Sequence, residues 1–416
     1  MLGAKVAEKP DVRERLREEM LRILARDGAA AISARNLARA AGASASSINY
    51  HFGGIEHLFC DAQSAAIEQA SRWMEERLAP LSTARSLPAA ALAPFLVATI
   101  DDWCRQAPDL AFAWRECQIA AQRREDTVQL AASWTALWHG FWRRAGAVFG
   151  LDEDATDATA IFFDAESFLH LIDWYRSMDH PALTEICSRF VSRLTDRGGH
   201  PATPMDWRRL ARERAHESVS LTPLLPPVAD RISQGILTLI GQEGVTSMTH
   251  RRVALHAGVT LGAVSYYFPS RAELLHAAFL AAYHNITRPA GRTEARTDDE
   301  PMSPDIFCRR VVETVIDPGP ALANVRAIEE VLLAGARHKD FKSIAAYLRY
   351  SRGETTIRSM NRIPEMKGRI DELDAAIMSG CIGGIRRSVC GQPLAQQREN
   401  AASLMRRLLA LFVEEA

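Results

Sequence analysis

The chain has 416 residues, 47% of them hydrophobic and 24% charged, with a formal net charge of -1. This length calls for two to four domains rather than one core. So balanced a charge gives no bulk attraction to a polyanion, and any nucleic-acid role must rest on local motifs.

No run of about 18 apolar residues is present to span a bilayer, and the first twenty residues lack the apolar core of a secretory signal. A cytoplasmic address without membrane contact is therefore expected. Seven cysteines without CxxC or Cys/His ligand spacing read as reduced, buried thiols, with no metal site and no cofactor expected.

In chain order, the first signal is RERLREEMLRILARDG, where Leu16, Met20, Ile23 and Leu24 fall on one helical face and Gly28 stands where the helix stops. A short helix opens on Ser33 as a hydroxyl N-cap and ends at AAGAS, where Gly42 supplies the left-handed residue of a sharp turn. A second short helix starts from Ser44 and closes on Tyr50, His51 and Phe52. Long helical stretches follow at 56–78, 89–106, 109–123, 127–149, 154–178 and 182–195. Residues 198–228 are the richest in Gly and Pro and read as a linker around a charged helix at 207–216.

The pattern then starts again. Residues 28–59 align without a gap on 244–275 at an offset of 216, with Gly28/Gly244, Arg35/Arg251, Gly42/Gly258, Tyr50/Tyr266 and Phe52/Phe268 among the identities. Pro88/Pro304 and Ile100-Asp101/Ile316-Asp317 extend the register. Thr249 and Thr260 cap the two short helices of the second copy, and helical stretches run from Ala272 to Glu414 around a polar loop at 288–304. No stretch shows sustained strand alternation, so the fold class is all-α, with one unit used twice.

Two short helices about a Gly turn, then Tyr-aromatic-Phe, a break and a Leu-rich helix, form one string in ISARNLARAAGASASSINYHFGGIEHLF and in MTHRRVALHAGVTLGAVSYYFPSRAELL. It resembles the DNA-binding domain of the TetR family of bacterial transcriptional regulators. The resemblance implies two tandem TetR-like units. Each has an N-terminal helix-turn-helix three-helix head (1–59 and 229–275) and a helical ligand-binding and dimerisation body (60–197 and 276–416), with a linker at 198–228. TetR-like regulators work as homodimers through their last two helices. Here 154–196 would pair with 367–414 inside one chain, because the tether raises their effective concentration to about millimolar. A monomeric chain acting as an intramolecular pseudo-dimer is expected.

By the same resemblance, double-stranded DNA would meet Ser33, Arg35, Ser44, Ala45, Ser46, Ser47, Asn49, Tyr50 and His51 in the first head. In the second it would meet Thr249, Arg251, Thr260, Leu261, Gly262, Ala263, Ser265, Tyr266, Tyr267 and Arg271. Arg35 and Arg251 suit bidentate bonding to guanine, while the Tyr and His groups suit phosphate oxygens. Arg271 takes the family's cationic position opening the next helix, where phosphate is favoured. Gly53-Gly54-Ile55 lacks both hydroxyl cap and cation, so the first clamp should be looser, with Lys5, Lys9, Arg13 and Arg17 as partial compensation. Because the outward residues differ between copies, the operator should be an imperfect palindrome.

All eight tryptophans lie at or before Trp207. Trp134, Trp138 and Trp142 recur every four residues, and with Trp103, Trp114, Trp174, His139 and His170 they suggest an aromatic pocket in the first body for a small apolar or aromatic effector. Arg105 and Arg115 are further polar anchors. Ordinary core packing is the alternative for the same stripe. The second body offers Arg326, Glu329, Glu330, Tyr347 and Tyr350 instead, so at most one pocket is expected, in the first. With no Walker loop, GxSxG or HExxH, the chain does not read as an enzyme. The expectation is a ligand-responsive repressor, and the alternative a ligand-independent DNA-binding or architectural protein with degenerate pockets.

Overall fold

The computed structural model describes residues 11–83, 86–196, 206–220, 225–287 and 301–413, and every regular element among them is helical. Lys5, Lys9 and most of the polar loop at 288–304 lie outside the described residues. The first unit opens with α1 (Val12–Arg26), α2 (Ala34–Ala40) and α3 (Ala45–Phe52). Leu16, Met20, Ile23 and Leu24 of α1 are buried as their periodicity requires, with Leu37 of α2 and Ile48 of α3 in the same core. Ser33 and Ser44 cap α2 and α3 by accepting from the Asn36 and Ser47 amides at 3.2 and 3.3 Å.

A long helix α4 (Ile55–Leu78) leads into a body of α5 (Leu92–Gln106), α6 (Pro108–Ala120), α7 (Val128–Val148), α8 (Glu153–Leu169) and α9 (Arg176–Thr195). After a connecting helix α10 (Asp206–Ser220), the second unit repeats the head as α11 (Pro227–Glu243), α12 (His250–Ala257) and α13 (Leu261–Tyr267). Its body comprises α14 (Arg271–Thr287), α15 (Pro304–Val315), α16 (Pro320–Arg337), α17 (Lys342–Tyr350), α18 (Thr356–Met360), α19 (Glu372–Ser388) and α20 (Leu394–Ala410).

The structure departs from the sequence reading in three places, and each has a tertiary cause. The helix expected across 154–178 stops at Leu169, because Arg349 of the second unit donates to the Ile172 carbonyl at 2.9 Å and to that of Leu169 at 3.4 Å. Asp179 accepts from the Trp174 amide at 3.0 Å, and α9 starts ahead of 182 with Pro181 inside it. The expected linker contains a packed helix: Glu185 receives the Trp207 and Arg208 amides at the start of α10 (2.7 and 2.9 Å), and Ala211, Ala215 and Val219 are buried where α10 meets α9 and α17. Finally, the offset of 216 holds through the heads but slips to 214 by the 3-10 turns Glu125–Thr127 and Lys339–Phe341, which precede α7 and α17. Ile100-Asp101 lies inside α5 whereas Ile316-Asp317 lies past the end of α15, so those two pairs are not structurally equivalent. In the shifted register the single helix α7 corresponds to α17 and α18 together, broken around residues 351–355.

The last helices of the first unit pack on those of the second: α8 meets α19 and α20, and α9 meets α19. Arginine–carboxylate pairs seal this junction. Arg193 meets Asp374 at 2.6 Å, Arg189 meets Asp371 at 2.8 Å, and Asp164 receives both Arg115 of its own unit and Arg387 of the other. Charges buried this deeply are tolerated only when paired and hydrogen-bonded.

Candidate nucleic-acid interface

In each head α2–α3 or α12–α13 turns about a left-handed glycine, Gly42 (φ 63) or Gly258 (φ 62). A Cβ added at either would meet nothing within 4 Å. Backbone conformation, not space, requires glycine there. Thr249 and Thr260 cap α12 and α13 through the Arg252 and Ala263 amides at 3.3 and 3.2 Å, as Ser33 and Ser44 do in the first head. These four hydroxyls thus shape the turn while remaining at the surface.

The recognition helices α3 and α13 bury one apolar residue each, Ile48 and Val264, and turn the rest outward. Tyr50 is 85% and Tyr266 80% exposed, large aromatic surface left in water. Ala45, Ser46, Asn49, Leu261, Gly262 and Ser265 are exposed beside them, while Ser47, His51, Ala263 and Tyr267 are half-buried. Arg35 and Arg251 are exposed, and among the described residues neither makes an ion pair. Phe268 is buried beneath its helix, but Phe52 is only half-buried, with the Arg13 guanidinium 5.3 Å from its ring centroid.

The positions expected to clamp phosphate differ between the two heads. Ser270 and Glu273 form a reciprocal cap at the start of α14, with Ser270 N donating to the Glu273 carboxylate (2.8 Å) and Glu273 N to the Ser270 hydroxyl (3.2 Å). Arg271 is exposed beside this cap, but its guanidinium is already engaged. Its two Nη groups donate to the Met248 and Val245 carbonyls, both at 2.8 Å, bracing the loop before α12. In the first unit, Gly54 precedes α4 without a side-chain cap, as expected. Arg13 and Arg17 do not compensate, since both pair with Asp61 of α4.

A family model described as bacterial regulatory proteins, tetR family, matches residues 18–62 and again 232–278, the two heads with the first turns of α4 and α14. The chain carries two DNA-binding domains of the TetR type, one heading each unit. No curated protein matches it. None of the helices described is long and apolar enough to cross a membrane.

The bodies of this TetR-type chain reverse the expected placing of the pocket. Trp103, Trp114, Trp134 and Trp138 are buried and packed ring on ring with Trp73, Trp142 and Phe163, with centroids 4.9 Å apart for Trp103–Trp138 and 4.2 Å for Trp138–Phe163. Their surfaces are taken up by one another, so the first body is filled. Trp134 donates its indole N–H to Gln63 at 3.1 Å. His139 faces out of the cluster, 3.5 Å from Asp157. His170 is largely covered and lies against the Glu166 carbonyl, and Trp174 lies at the unit junction, donating to Ser343 of the second unit at 3.3 Å.

A cavity of about 540 Å³ lies in the second body. In the 214-residue register, Ile328, Arg352 and Thr356 stand where Trp114, Trp138 and Trp142 stand, and all three line it. The break between α17 and α18 opens the same wall. Phe307, Val311, Val325, Leu332 and Leu348 supply apolar surface. Ser351 Oγ and the Nε atoms of Arg352 and Arg386 are buried without hydrogen-bond partners among the described residues. Burial, with Arg387 adding to it, pushes Arg352 down to about 10 and Arg386 to about 9. The sequence reading missed these residues. The usable signal was the twin arginines after the glycines of SGCIGGIRRS, Ser379–Ser388.

Proposed function

We propose that the chain is a ligand-responsive transcriptional regulator that represses by holding two half-sites of duplex DNA with one polypeptide. The heads are taken as 1–59 and 229–275 and the bodies as 60–197 and 276–416, and the molecule works as a monomeric pseudo-dimer in the cytoplasm. The observation that carries the reading is the pair of exposed helix-turn-helix surfaces, each with an outward tyrosine on its recognition helix and, on the helix before the turn, an exposed arginine that makes no ion pair among the described residues. Arg35 and Arg251 would read a guanine in each half-site. Asn49 would bond adenine in one half, where Leu261 and Ala263 would make apolar contact in the other. Tyr50, His51, Tyr266 and Tyr267 would reach phosphates. Selection of bound duplexes from a random library tests this: an imperfect palindrome with half-sites about one helical turn apart is expected, and no enriched sequence would sink the reading.

The effector proposed for the second-body cavity is an amphipathic acid. Arg352 is enclosed with no carboxylate in ion-pair reach among the described residues, and an anionic head group would satisfy it while an apolar tail fills the remaining wall. This replaces the apolar ligand expected in the tryptophan-rich body. Titration calorimetry with decanoate should show binding by wild type and at least tenfold weaker binding by Arg352→Met. Operator affinity indifferent to every acid tried would favour the alternative of a ligand-independent DNA-binding protein, a reading that the filled first body already supports for its own half.

A further inference from the structure

Two arginines cross between the units beneath the heads. Arg337, at the end of α16, reaches into the first unit: its Nε donates to the Leu24 and Ala25 carbonyls at the end of α1 (3.0 and 3.2 Å), and its Nη2 pairs with Glu116 at 2.6 Å. Arg123, just past α6, reaches the other way, to the Ile240 carbonyl of α11 (3.1 Å) and to Glu330 (2.6 Å). Each glutamate also accepts an amide from the 3-10 turn of its own head, Glu116 from Ala29 (3.4 Å) and Glu330 from Val245 (2.7 Å).

The two sets are equivalent. Arg123/Arg337 and Glu116/Glu330 stand 214 residues apart, while Leu24/Ile240 and Ala29/Val245 stand 216 apart, the registers of body and head. Each head is therefore held by a glutamate of its own body and an arginine of the opposite one, as an isologous interface requires. Gly28 (φ 78) and Gly244 (φ 91) bring backbone against these clasps: an added Cβ would stand 3.0 Å from Arg337 Nη1 and 3.3 Å from Arg123 Nη1, respectively.

Between the clasps lies a cavity of about 450 Å³, in the size range of sites for drug-sized ligands. Met20, Phe59 and Ile119 line it from the first unit, Met248, Leu275 and Leu333 from the second. Both clasps and both 3-10 turns are in its wall, and the turns touch each other. The charges of the wall are already engaged. Beyond the clasps, Arg124 holds Asp126, Asp27 holds Arg26, Glu243 holds Arg252, and Arg271 holds its two carbonyls. Glu56 and His338 are exposed to water. A charged ligand would lose hydration here and find no free buried counter-charge.

We propose that this cavity binds an uncharged, largely apolar molecule, separately from the acid site in the second body, and that its occupation changes the separation of the heads. A molecule seated between the turns touches both heads at once. Displacing the turns displaces α1 and α11, on which α3 and α13 pack. The DNA arm of the proposal rests on the regulator reading above, whereas the ligand arm does not.

The test uses the full chain and N-phenyl-1-naphthylamine, an uncharged dye that brightens in apolar surroundings. Ala120→Phe fills the inter-head cavity from a half-buried wall position, Ile119→Trp is a second filling variant should the first fail to fold, and Thr314→Phe fills the second-body cavity as a control. Saturable binding by wild type and Thr314→Phe, weakened at least tenfold in the inter-head variants, is expected. Saturating dye should lower affinity for the selected operator at least fivefold in wild type and less than twofold in Ala120→Phe. Dye binding unchanged by both inter-head fillings, or lost only in Thr314→Phe, overturns the ligand site. Dye binding lost in Ala120→Phe while wild-type operator affinity ignores the dye overturns the coupling. If selection yields no operator, the regulator reading fails and the dye titration still decides the site.

Discussion

Arg193 and Asp374 meet across the junction of the two units in a buried, two-pronged ion pair, Nη2 to Oδ2 at 2.6 Å and Nε to Oδ1 at 3.0 Å. The fork geometry suits a guanidinium and a carboxylate, and removing Arg193 leaves the buried Asp374 with the longer contact to Arg189, 3.3 Å, as its ion pair. Arg193→Met should therefore lower stability to urea by about 3–5 kcal/mol. Arg144→Met, which breaks an exposed pair with Glu75, should leave the midpoint in place. Equal effects of the two would mean that the junction contributes nothing special.

DNA recognition should be asymmetric in a way that a homodimer forbids. Arg35→Ala should blur base preference in one half-site and Arg251→Ala in the other, each costing about 1–3 kcal/mol. If about 6 to 8 phosphates are neutralised, log affinity should fall against log salt with a slope of about -5 to -7. Both substitutions blurring both halves equally would show that two chains bind symmetrically. A sedimentation mass of two chains at micromolar concentration would say the same.

His170 sets a pH dependence whose sign is defined. Burial, then the nearby Arg349 guanidinium, pushes the imidazole pKa well below its ordinary value, against a raising hydrogen bond to the Glu166 carbonyl; Arg208 and Arg105 add to the lowering. The ring is neutral when folded and takes a proton on unfolding. Its contribution is full above the unfolded pKa of about 6.5 and is lost as pH falls from there toward the depressed folded value, by up to about 1.4 kcal/mol per pH unit. Between pH 7.5 and 5.5, wild type should lose more urea stability than His170→Gln. Parallel losses would contradict the assignment.

Glycine substitutions should separate two kinds of strain. Gly258→Ala meets only a conformational penalty, about 1–2 kcal/mol for a left-handed residue, since its Cβ would stand in open space. Gly28→Ala adds contact with the Arg337 clasp and should be the more destabilising in thermal melts. The reverse order would mean that Arg337 yields without loss.

The heads were legible in the sequence because their determinants are local. Hydroxyl caps at Ser33, Ser44, Thr249 and Thr260, the turns at Gly42 and Gly258, and the apolar face of α1 each act within a few residues. The tryptophan stripe was legible as a stripe and nothing more. Spacing by four places Trp134, Trp138 and Trp142 on one face, but whether the space before them is empty depends on Trp103, Trp114 and Phe163, which arrive from other helices. The cavity of the second body was hidden by the two-residue slip in register, without which Arg352 does not line up with Trp138. Arg271 shows the same limit, since its charge is visible in sequence and the carbonyls that engage it are not.

The one-sided distribution of tryptophan has a spectroscopic consequence. Seven of the eight indoles sit in the first body, six of them clustered closely enough to exchange excitation, while the second unit has none of its own. Intrinsic emission from the whole chain thus records the melting of its first half. Trp174, bonded to Ser343, is the indole placed to sense the second half at first hand. A chain made of two like halves therefore carries a natural label on one of them, and comparing its emission with its far-ultraviolet dichroism would resolve, without any modification, whether the halves unfold together or in turn.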